Sequence, residues 1–517
     1  MKLKLATALC SVILLAGATV QTLAGSSFLS ARSYHDWGND DAYISYRYAE
    51  NLVHGRGLVF NPGERVEGYS NLLYVLLMVP GFLLTGQDGI YFYSVTINLL
   101  LALAALLLFM NHLRRLGHIP AFAGCLLFAL CLPLWVAVAS GLESVLVVAL
   151  ALGIWMAVER AAREESPALW PLVVLTALMV LARADGFIVP ALAVVYLAIK
   201  GRRREAVACG ATLVGTTIAL EAWRYGYYGA WLPTSYYVKV AGPLPARLAY
   251  AASHILKIGF FEGLMPYLLV LLLAAAGAVW RVSRGESGLA EAIEFHWFYA
   301  VAWLVYWFYI GGDHFWDRFL IVLFPLGIFE LLRRFSRQVE RPAAVWALLL
   351  LLLYQVGPGY YTDPRFEYVS HKYDCWVGVG RFLRGKYPGR TLAAGAIGKI
   401  PFFSGLYTID MLGLATPAIA HGHVAADHFE PGHIKYDPDY VLSRRPDILV
   451  DQIGLNRNLS FGLTRDKYLP AGYHVSYLVN TLRPPAGPPI VDVRGIDDAA
   501  VDRLIVQGYD FAILARD

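Results

Sequence analysis

The stretch DDAYISYRYAENLVHGRGLVFNPGERVEGYSN, residues 40–71, lies between two apolar runs, residues 5–24 and 90–110. It opens on two adjacent acids, Asp40 and Asp41. Two carboxylates beside a lipid bilayer are costly unless they are solvated, paired or used in function. The side of the membrane on which this stretch lies therefore decides where any chemistry takes place.

The composition of the whole chain is typical of a membrane protein. Of its 517 residues, 57% are hydrophobic and 16% are charged, and the mean hydropathy is +0.51. A typical soluble domain has roughly 25% charged residues. Long apolar runs with few charges predict a polytopic α-helical membrane protein. The net charge of +4 gives no sign of nucleic-acid binding, because the basic residues fall in short clusters between apolar runs.

Several apolar runs predict transmembrane helices, since they approach the roughly 20 residues that cross a bilayer. The eleven predicted spans are residues 5–24, 90–110, 119–138, 145–159, 168–182, 186–199, 206–222, 261–280, 293–311, 319–332 and 343–357. The first run resembles a secretory signal, but we expect an uncleaved helix because further spans follow it. The run 71–85 is interrupted by Pro80 and Gly81, so we expect an interfacial helix that lies flat on the membrane.

The basic residues between these spans indicate the topology. With the assignment above they all fall on one side: Lys2/Lys4, Arg114/Arg115, Arg160/Arg163, Lys200/Arg202/Arg203/Arg204, Arg281/Arg284 and Arg333/Arg334/Arg337/Arg341. By the positive-inside rule that side is the cytoplasm, so the N-terminus is cytoplasmic. The opposite side holds residues 25–89 and 223–260, the short turns near 140–143, 183–186 and 311–314, and everything after about 358. Every polar motif that could carry chemistry falls on this extracytoplasmic side, where several loops could build one site.

The tail differs in composition from the rest of the chain. Pro, Gly, His and charged residues become more frequent after residue 358, and no spanning run follows. The short apolar runs TLAAGAIG, DILV and DFAILA are bounded by Gly, Pro or Asp, which predicts strands between helices. We therefore expect a membrane domain, 1–358, with a first periplasmic loop at 25–89, and a periplasmic soluble α/β domain, 359–517.

The acid pair is the first candidate for catalysis. Like charges side by side raise one pKa, which suits a general base that works near neutral pH, and a carboxylate pair could also bind a metal. The alternative is a helix N-cap, because Gly38-Asn39-Asp40-Asp41 precedes a helical pattern. Both interpretations can hold if one Asp caps the helix while the other reacts.

Other extracytoplasmic acids and bases are candidates for the pocket wall. Glu64, Arg65 and Glu67 follow the turn Asn61-Pro62-Gly63, where a surface ion pair is the alternative. Glu143 lies at a helix start, where an acid also interacts favourably with the helix dipole. Arg183 and Asp185 flank the end of a span, and a structural Arg–Asp pair is the alternative there.

Three basic residues are candidates for a phosphate site. Lys239 lies in WLPTSYYVKVAG, and Arg318 lies in GGDHFWDRF beside Asp313, His314 and Asp317. Arg47, in the opening stretch, is grouped with them. Arginine binds phosphate oxygens in a bidentate way and lysine acts as a point charge, whereas snorkelling of long cations to the membrane interface is the alternative.

Histidines cluster in HGHVAADHFEPGH at His421, His423, His428 and His433. No cysteine accompanies them and His-x-His alone is a weak pattern, so exposed loop histidines are the preferred interpretation. We assign no metal ligands and no cofactor, although a divalent cation is possible.

Motifs along most of the chain resemble the bacterial polytopic glycosyltransferases of the GT-C type, and most closely the terminal β-1,2 arabinofuranosyltransferases of mycobacterial cell-wall assembly. The first and longest is DDAYISYRYA followed by NPGERVEGYSN. The resemblance continues through SGLES at 140–144, RADGF at 183–187, YYGAWLPTSYYVKVAG at 227–242, GGDHFWDRFL at 311–320 and IDMLGL at 409–414.

The resemblance implies a cell-envelope enzyme of the bacterial inner membrane. Such an enzyme moves a sugar, arabinofuranose or another pentose or hexose, from a polyprenyl-phosphate donor to a glycan, lipid or protein acceptor on the periplasmic face. It implies a reaction centre at Asp40 and Asp41, with Asp40 as the first choice. It also implies that Lys239 and Arg318 face the donor phosphate and that Glu64, Arg65, Glu67 and, in IDMLGL, Asp410 line the pocket.

Two other functions remain open. A transporter or flippase of lipid-linked saccharides would place ionisable residues at mid-membrane and show paired halves, whereas here the charges cluster at one face. A polymerase of lipid-linked saccharides would use the same carrier, and only its product distinguishes it from a single-sugar transferase.

Overall fold

The computed structural model describes residues 2–25, 38–164, 167–314, 318–336, 342–356, 375–426, 428–482 and 487–516. The predicted domain boundary at 358/359, the basic residues Arg337 and Arg341, and Asp317 lie outside these ranges. Within them, the first part of the chain is helical and the tail contains a β-sheet.

Sixteen α-helices form the first part of the described chain. They are α1 Lys2–Gly25, α2 Asp40–Val53, α3 Leu72–Leu113, α4 His118–Ala129, α5 Leu132–Ser140, α6 Ser144–Arg163, α7 Trp170–Ala182, α8 Ile188–Ile199, α9 Arg203–Tyr228, α10 Thr234–Lys239, α11 Leu244–Phe261, α12 Met265–Ser283, α13 Leu289–Ala292, α14 Phe295–Ile310, α15 Leu323–Phe335 and α16 Pro342–Val356. Each of the eleven predicted runs coincides with one of these helices or with a pair of them. By length and hydropathy four described helices could cross a membrane, namely α3, α6, α9 and α12, or five if the bent pair α4–α5 counts as one span. This arrangement is that of a multi-pass membrane protein, while the number of eleven spans stays a prediction.

The predicted interfacial run 71–85 and the predicted span 90–110 form one helical stretch, α3. Its helical geometry is broken at Gly86, where φ is 66° and ψ is −168°. A positive φ is readily adopted by glycine but strained for other residues, so Gly86 allows the change of direction between the two halves. The orientation of the first half relative to a membrane stays a prediction.

The predicted single span 119–138 is not one helix. It divides into α4 and α5, which meet at an angle of 48°. Pro133 lies in the first turn of α5. Proline has no N–H to continue a helix ladder but is well tolerated at a helix start, so a new helix begins there.

The tail has the mixed α/β structure that its composition predicted. Its strands are β1 Thr391–Ala394, β2 Tyr407–Asp410, β3 Ile448–Gln452, β4 Tyr473–Val479, β5 Ile490–Asp492 and β6 Phe511–Arg516, and its helices are α17 Trp376–Lys386, α18 Lys399–Ser404, α19 Pro417–Ala420, α20 Pro438–Ser443, α21 Arg465–Tyr468 and α22 Asp498–Val506. The sheet order is β2-β1-β3-β6-β4-β5. Pairing is parallel between β1 and both β2 and β3, and antiparallel for the rest. The runs TLAAGAIG, DILV and DFAILA supply β1, β3 and β6, so those three strand predictions are confirmed.

Helix α2 packs against the tail. The ring of Tyr43 on α2 lies 5.3 Å from that of Phe402 on α18, and Tyr43 is fully buried. The six-residue helix α18 has all of its residues buried. The acid pair at the start of α2 is therefore placed where the helices of the first part meet the sheet of the tail.

Candidate active site

A cavity of about 1740 Å³ lies between loops of the helical part and the tail. Pockets for single drug-sized ligands are typically about 300–1,000 Å³. This cavity is large enough for two substrates at once. Eight of the residues predicted for the site line it: Asp40, Asp41, Arg183, Asp185, Lys239, Asp313, His314 and Arg318.

The two acids of the pair have different surroundings. Asp40 accepts hydrogen bonds from the backbone N–H groups of Gly398 (2.9 Å) and Lys399 (2.7 Å). Burial raises the pKa of Asp40 to about 6, although these hydrogen bonds and the Lys399 charge oppose the rise. Both of its oxygens are thus engaged with the tail, which makes Asp40 a docking contact between the two parts of the chain.

Asp41 lines the same cavity as Asp40 and lies beside Arg318. Its side chain is 26% exposed, and its Oδ2 lies 3.7 Å from Nη1 of Arg318. Neither acid caps helix α2. The cap is Asn39, whose side-chain oxygen accepts a hydrogen bond from the backbone N–H of Asp41 at 2.9 Å. The predicted N-cap role for an Asp of the pair is therefore wrong, and Asp41 is available for chemistry.

Arg318 is held in a fixed orientation by Asp313. Nε and Nη2 of Arg318 donate to the two carboxylate oxygens of Asp313 at 2.6 and 2.8 Å. The carboxylate of Asp313 is brought there by Gly311 and Gly312, whose φ angles of 87° and 80° turn the chain sharply after α14. Burial acts to raise the pKa of Asp313, but the Arg318 charge outweighs it and the pKa is lowered. The remaining face of the guanidinium is directed toward Asp41.

Lys239 and Arg183 add positive charge to the same wall. Burial, together with the nearby Arg318, lowers the pKa of Lys239. Lys239 ends α10, whose first residue, Thr234, donates its N–H to the main-chain oxygen of Glu67 at 3.0 Å. An anion in this part of the cavity would meet Lys239 and Arg318 in a setting of low polarity, where charge interactions are strong. Arg183 is already paired with Glu143 and Asp185.

Arg183 belongs to a buried ion network. It bonds Asp185 at 2.8 Å and Glu143 at 2.6 Å, and Tyr306 donates to Asp185 at 2.8 Å. The Arg183–Asp185 pair agrees with the structural alternative considered from the sequence. Glu143 does not line the cavity; it lies behind Arg183 and accepts from Asn71 at 2.8 Å, so its predicted place in the pocket wall is corrected.

Arg47 does not face the cavity, contrary to its predicted phosphate role. Its guanidinium donates to the main-chain oxygens of Phe60 (2.7 Å), Leu406 (2.7 Å) and Pro401 and to the side chain of Asn61. Because its donors are used by protein acceptors, Arg47 fastens α2 to the tail.

Four other predicted pocket residues are also structural. Glu64 interacts with Tyr407 and Asn61, and Arg65 lies over the ring of Tyr227 at 4.9 Å. Glu67 forms a buried ion pair with Arg224 at 2.6 Å. Asp410 accepts the N–H groups of Leu412 (2.8 Å) and Ala415 (2.6 Å) within its own turn. None of Glu64, Arg65, Glu67 and Asp410 is among the residues that line the cavity.

The sequence reasoning missed several lining residues, namely Glu221, Arg224, Glu430 and Asp451, and it interpreted His433 as an exposed loop histidine. Asp451 follows the run DILV and lies in β3, and burial raises its pKa to about 7. A polar residue near the carboxyl end of a parallel strand is a known signal of a site, so Asp451 could have been found. Glu221 and Arg224 follow the apolar stretch 206–220 of α9, where their charge was also a usable signal.

The predicted histidine cluster does not assemble as a group of four. His433 lies beside His314, with ring centroids 4.6 Å apart, and His314 Nδ1 is 2.9 Å from Glu430 Oε1. His421 contacts the ring of Tyr237, and His423 is exposed. A different trio, His314, Glu430 and His433, is therefore brought together at the cavity wall.

Comparison with known proteins supports the resemblance seen in the sequence. A family model described as a domain of unknown function (DUF8728) matches residues 366–505, which is most of the tail. The terminal beta-(1->2)-arabinofuranosyltransferase of Mycobacterium tuberculosis is 26% identical to this chain. That match covers 60% of the chain and 55% of the relative, so it spans little more than half of the relative's length. The predicted resemblance to this group is confirmed.

Solved structures show the same fold. ArnT from Cupriavidus metallidurans, bound to undecaprenyl phosphate, superposes with a TM-score of 0.54 at 13% identity, over 98% of this chain and 97% of that one. The oligosaccharyltransferase AglB from Archaeoglobus fulgidus, in complex with an inhibitory peptide and a dolichol-phosphate, gives 0.54 at 13% identity, over 94% of this chain and 75% of that one. The fold is that of the GT-C membrane glycosyltransferases, as the resemblance implied.

Proposed function

We propose that this chain transfers a sugar from a polyprenyl-phosphate donor to a glycan, lipid or protein acceptor. The observation that carries the proposal is the accessible carboxylate of Asp41, 3.7 Å from Arg318, in a cavity that Lys239 and Arg183 also line. A base beside a cluster of cations is what such a transfer requires. Support comes from the similarity to an arabinofuranosyltransferase and from the lipid phosphates bound by ArnT and AglB.

The reaction assigns a separate role to each group. Asp41 accepts the proton of an acceptor hydroxyl as its oxygen attacks the anomeric carbon of the donor sugar. The bond between that carbon and the phosphate oxygen breaks, and the bonding electrons leave with the lipid phosphate. Arg318 and Lys239 stabilise the charge on the departing phosphate, which is the larger part of such catalysis. Asp40 does not react in this account; it holds the start of α2 against the tail.

The cavity wall suits a donor with a lipid tail. Apolar residues also line it, among them Leu132, Val136, Phe187, Ile188 and Ile310. Phe187 is 49% exposed, whereas Leu132 and Ile310 are buried. A polyprenyl chain could lie along these residues while its phosphate reaches the cations. The sugar proposed first is arabinofuranose, because that is what the curated relative's name specifies.

We also propose that the cavity faces the periplasm and the N-terminus the cytoplasm, in the bacterial inner membrane. A second, smaller pocket gathers Arg115, Arg163, Lys200 and Arg333, which come from four of the basic clusters. Its residues are not shared with the main cavity. By the positive-inside rule this second pocket marks the cytoplasmic ends of the helices. The tail, proposed as a periplasmic domain of residues 359–517, would then close the main cavity from outside.

The test is sugar transfer in purified membranes from a panel of radiolabelled polyprenyl-phosphate sugars, with wild type beside Asp41→Asn. We expect one donor to be used and the product to be absent in the variant. Labelled product of a single added sugar distinguishes a transferase from a polymerase. Failure of every donor to react, with normal amounts of protein, would overturn the proposal and favour a transporter of lipid-linked saccharides.

A further inference from the structure

His314, Glu430 and His433 form a compact group in the cavity wall. One nitrogen or oxygen atom from each of the three side chains lies within 4.8 Å of the others. His314 follows the turn that carries Asp313, whereas Glu430 and His433 belong to the tail. Residues more than a hundred positions apart are thus brought to one point, on the two sides of the contact between the tail and the helical part.

The two residues of the tail, Glu430 and His433, lie at the two ends of one tight turn. The sequence Glu430-Pro431-Gly432-His433 closes on itself, with the N–H of His433 donating to the main-chain oxygen of Glu430 at 3.1 Å. Gly432 has a φ of 84°, as the third position of a type II turn requires. The turn places the side chains of Glu430 and His433 beside each other.

The imidazole of His433 has the orientation of a metal ligand. Its Nδ1 lies 3.1 Å from the main-chain oxygen of Pro431. A hydrogen bond to a carbonyl keeps the proton on Nδ1 and leaves the lone pair on Nε2, which is the usual arrangement around metal-bound histidines. The site therefore has an outer contact that fixes one of its ligands.

We propose that His314, Glu430 and His433 bind one divalent cation of the zinc type. Two imidazoles and a carboxylate are a common zinc set that leaves a fourth position open, here toward the cavity. Magnesium and calcium prefer sites made only of oxygen ligands, so they fit this trio less well. With metal–ligand bonds of about 2.0–2.2 Å, ligand atoms of a tetrahedral site lie roughly 3.3 Å apart. Small side-chain rotations close the difference from the present spacing.

This site goes beyond the proposed function and does not depend on it. A cation here would tie the turn at 430–433 to the loop at 311–314, whose Asp313 orients Arg318. One edge of the cavity would thereby be fixed. Among the described residues a second trio, Glu294, His296 and Glu330, also has metal-compatible spacing. There Glu330 is paired with Arg333 at 2.8 Å and Arg334 at 2.5 Å, and two cations on one carboxylate disfavour a third.

The test measures metal binding without any sugar substrate. Purified full-length protein in detergent is stripped with a chelator, incubated with zinc, desalted and analysed for metal by mass spectrometry. Wild type is compared with Glu430→Gln and His433→Ala, and His423→Ala is the matched control, because His423 is an exposed histidine of the same loop outside the trio. Thermal unfolding of the metal-free proteins shows whether each variant folds. Cobalt replaces zinc in a parallel sample, where visible absorption reports the ligand geometry.

We expect one zinc per chain in wild type and in His423→Ala. Affinity should fall at least tenfold in Glu430→Gln and His433→Ala, since roughly tenfold is the smallest effect seen even when an outer partner of a metal ligand is removed. Absence of zinc from folded wild type, or equal affinity in folded Glu430→Gln and His433→Ala, would overturn the assignment. Since no transfer is measured, this result is independent of the sugar-transfer test.

Discussion

The buried ion pair between Glu67 and Arg224 gives a sharp test of the division between structural and reacting residues. Arg224 Nε donates to Glu67 at 2.6 Å, and their side chains are only 6% and 3% exposed. Arg224 also contacts Glu221, whose side chain is 28% exposed. The main-chain oxygen of Glu67 accepts from Thr234, so this pair also supports the helix that carries Lys239.

The expected cost of breaking this pair follows from its burial. Removing one partner of a buried ion pair costs about 3–5 kcal/mol, because the remaining charge is left uncompensated. In Glu67→Gln the guanidinium of Arg224 keeps its contact with Glu221, so we expect the lower end of that range, about 3 kcal/mol. Adding Arg224→Met removes the uncompensated charge. The double variant should therefore be more stable than Glu67→Gln alone, and close to wild type.

The assay is denaturant unfolding in detergent micelles, for wild type, Glu67→Gln, Arg224→Met and the double variant. A positive coupling between the two sites would establish the pair as a structural contact. The reasoning would be refuted if Glu67→Gln unfolded like wild type while sugar transfer was lost. Glu67 would then act in the pocket, as the resemblance to the arabinofuranosyltransferases implied.

Three further predictions follow from contacts around Asp40 and Arg318. In Gly398→Ala the new Cβ would lie 1.8 Å from the main-chain oxygen of Asp40, so we expect a lower unfolding temperature. Gly385→Ala has open space around its new Cβ and lies in helix α17, so it should not lower the unfolding temperature. The pKa of Asp40 is raised from 3.8 to about 6 by burial, so the folded state favours the neutral carboxyl. The neutral carboxyl of Asp40 stabilises the folded state fully below pH 3.8, and this stabilisation is lost as the pH rises through 6. A shift of the pKa from 3.8 to about 6 corresponds to about 3 kcal/mol in the free energy of unfolding. The free energy of unfolding of Asp40→Asn should not show this decrease between pH 4 and pH 7. If the free energies of unfolding of wild type and Asp40→Asn change equally over this pH range, the assignment is contradicted. Arg318→Lys keeps the positive charge but cannot form two hydrogen bonds to Asp313 at once. The affinity for undecaprenyl phosphate, measured by titration, should therefore fall roughly tenfold, which is the effect of losing one charged hydrogen bond. An unchanged affinity would exclude Arg318 from the phosphate site.

Much of the site could be predicted because its residues lie at the same ends of the helices. Arg183 directly follows an apolar run, Arg318 directly precedes one, and Lys239 lies in the loop between two others. The topology rule places all three on one side. Helix ends on one side of a bundle converge on a shared space, so the cluster forms without detailed knowledge of packing. Strands β1, β3 and β6 were recognised for a similarly simple reason, since apolar runs bounded by turn residues have few other structures available. Strands β2, β4 and β5 were not predicted.

The separate roles within the opening stretch could not be predicted from the sequence. Asp40 and Asp41 differ by one position, and what separates them is the backbone of Gly398 and Lys399, which lies far along the chain. Arg47 was predicted to bind the donor phosphate. Its guanidinium instead donates hydrogen bonds to the main-chain oxygens of Pro401 and Leu406, which also belong to the tail. Contacts between segments that are far apart in the sequence determine which charged side chains are paired within the structure and which lie in the cavity.

The most direct test of the account compares initial rates of transfer for Asp41→Asn and Asp40→Asn, with the folded fraction of each variant measured in the same membranes. Loss of the base should reduce the rate by roughly a hundredfold or more in Asp41→Asn, while its fold is retained. Asp40→Asn should keep most of the rate per folded molecule. Wild-type transfer by folded Asp41→Asn, with activity lost only in folded Asp40→Asn, would contradict the account and assign the reaction to Asp40.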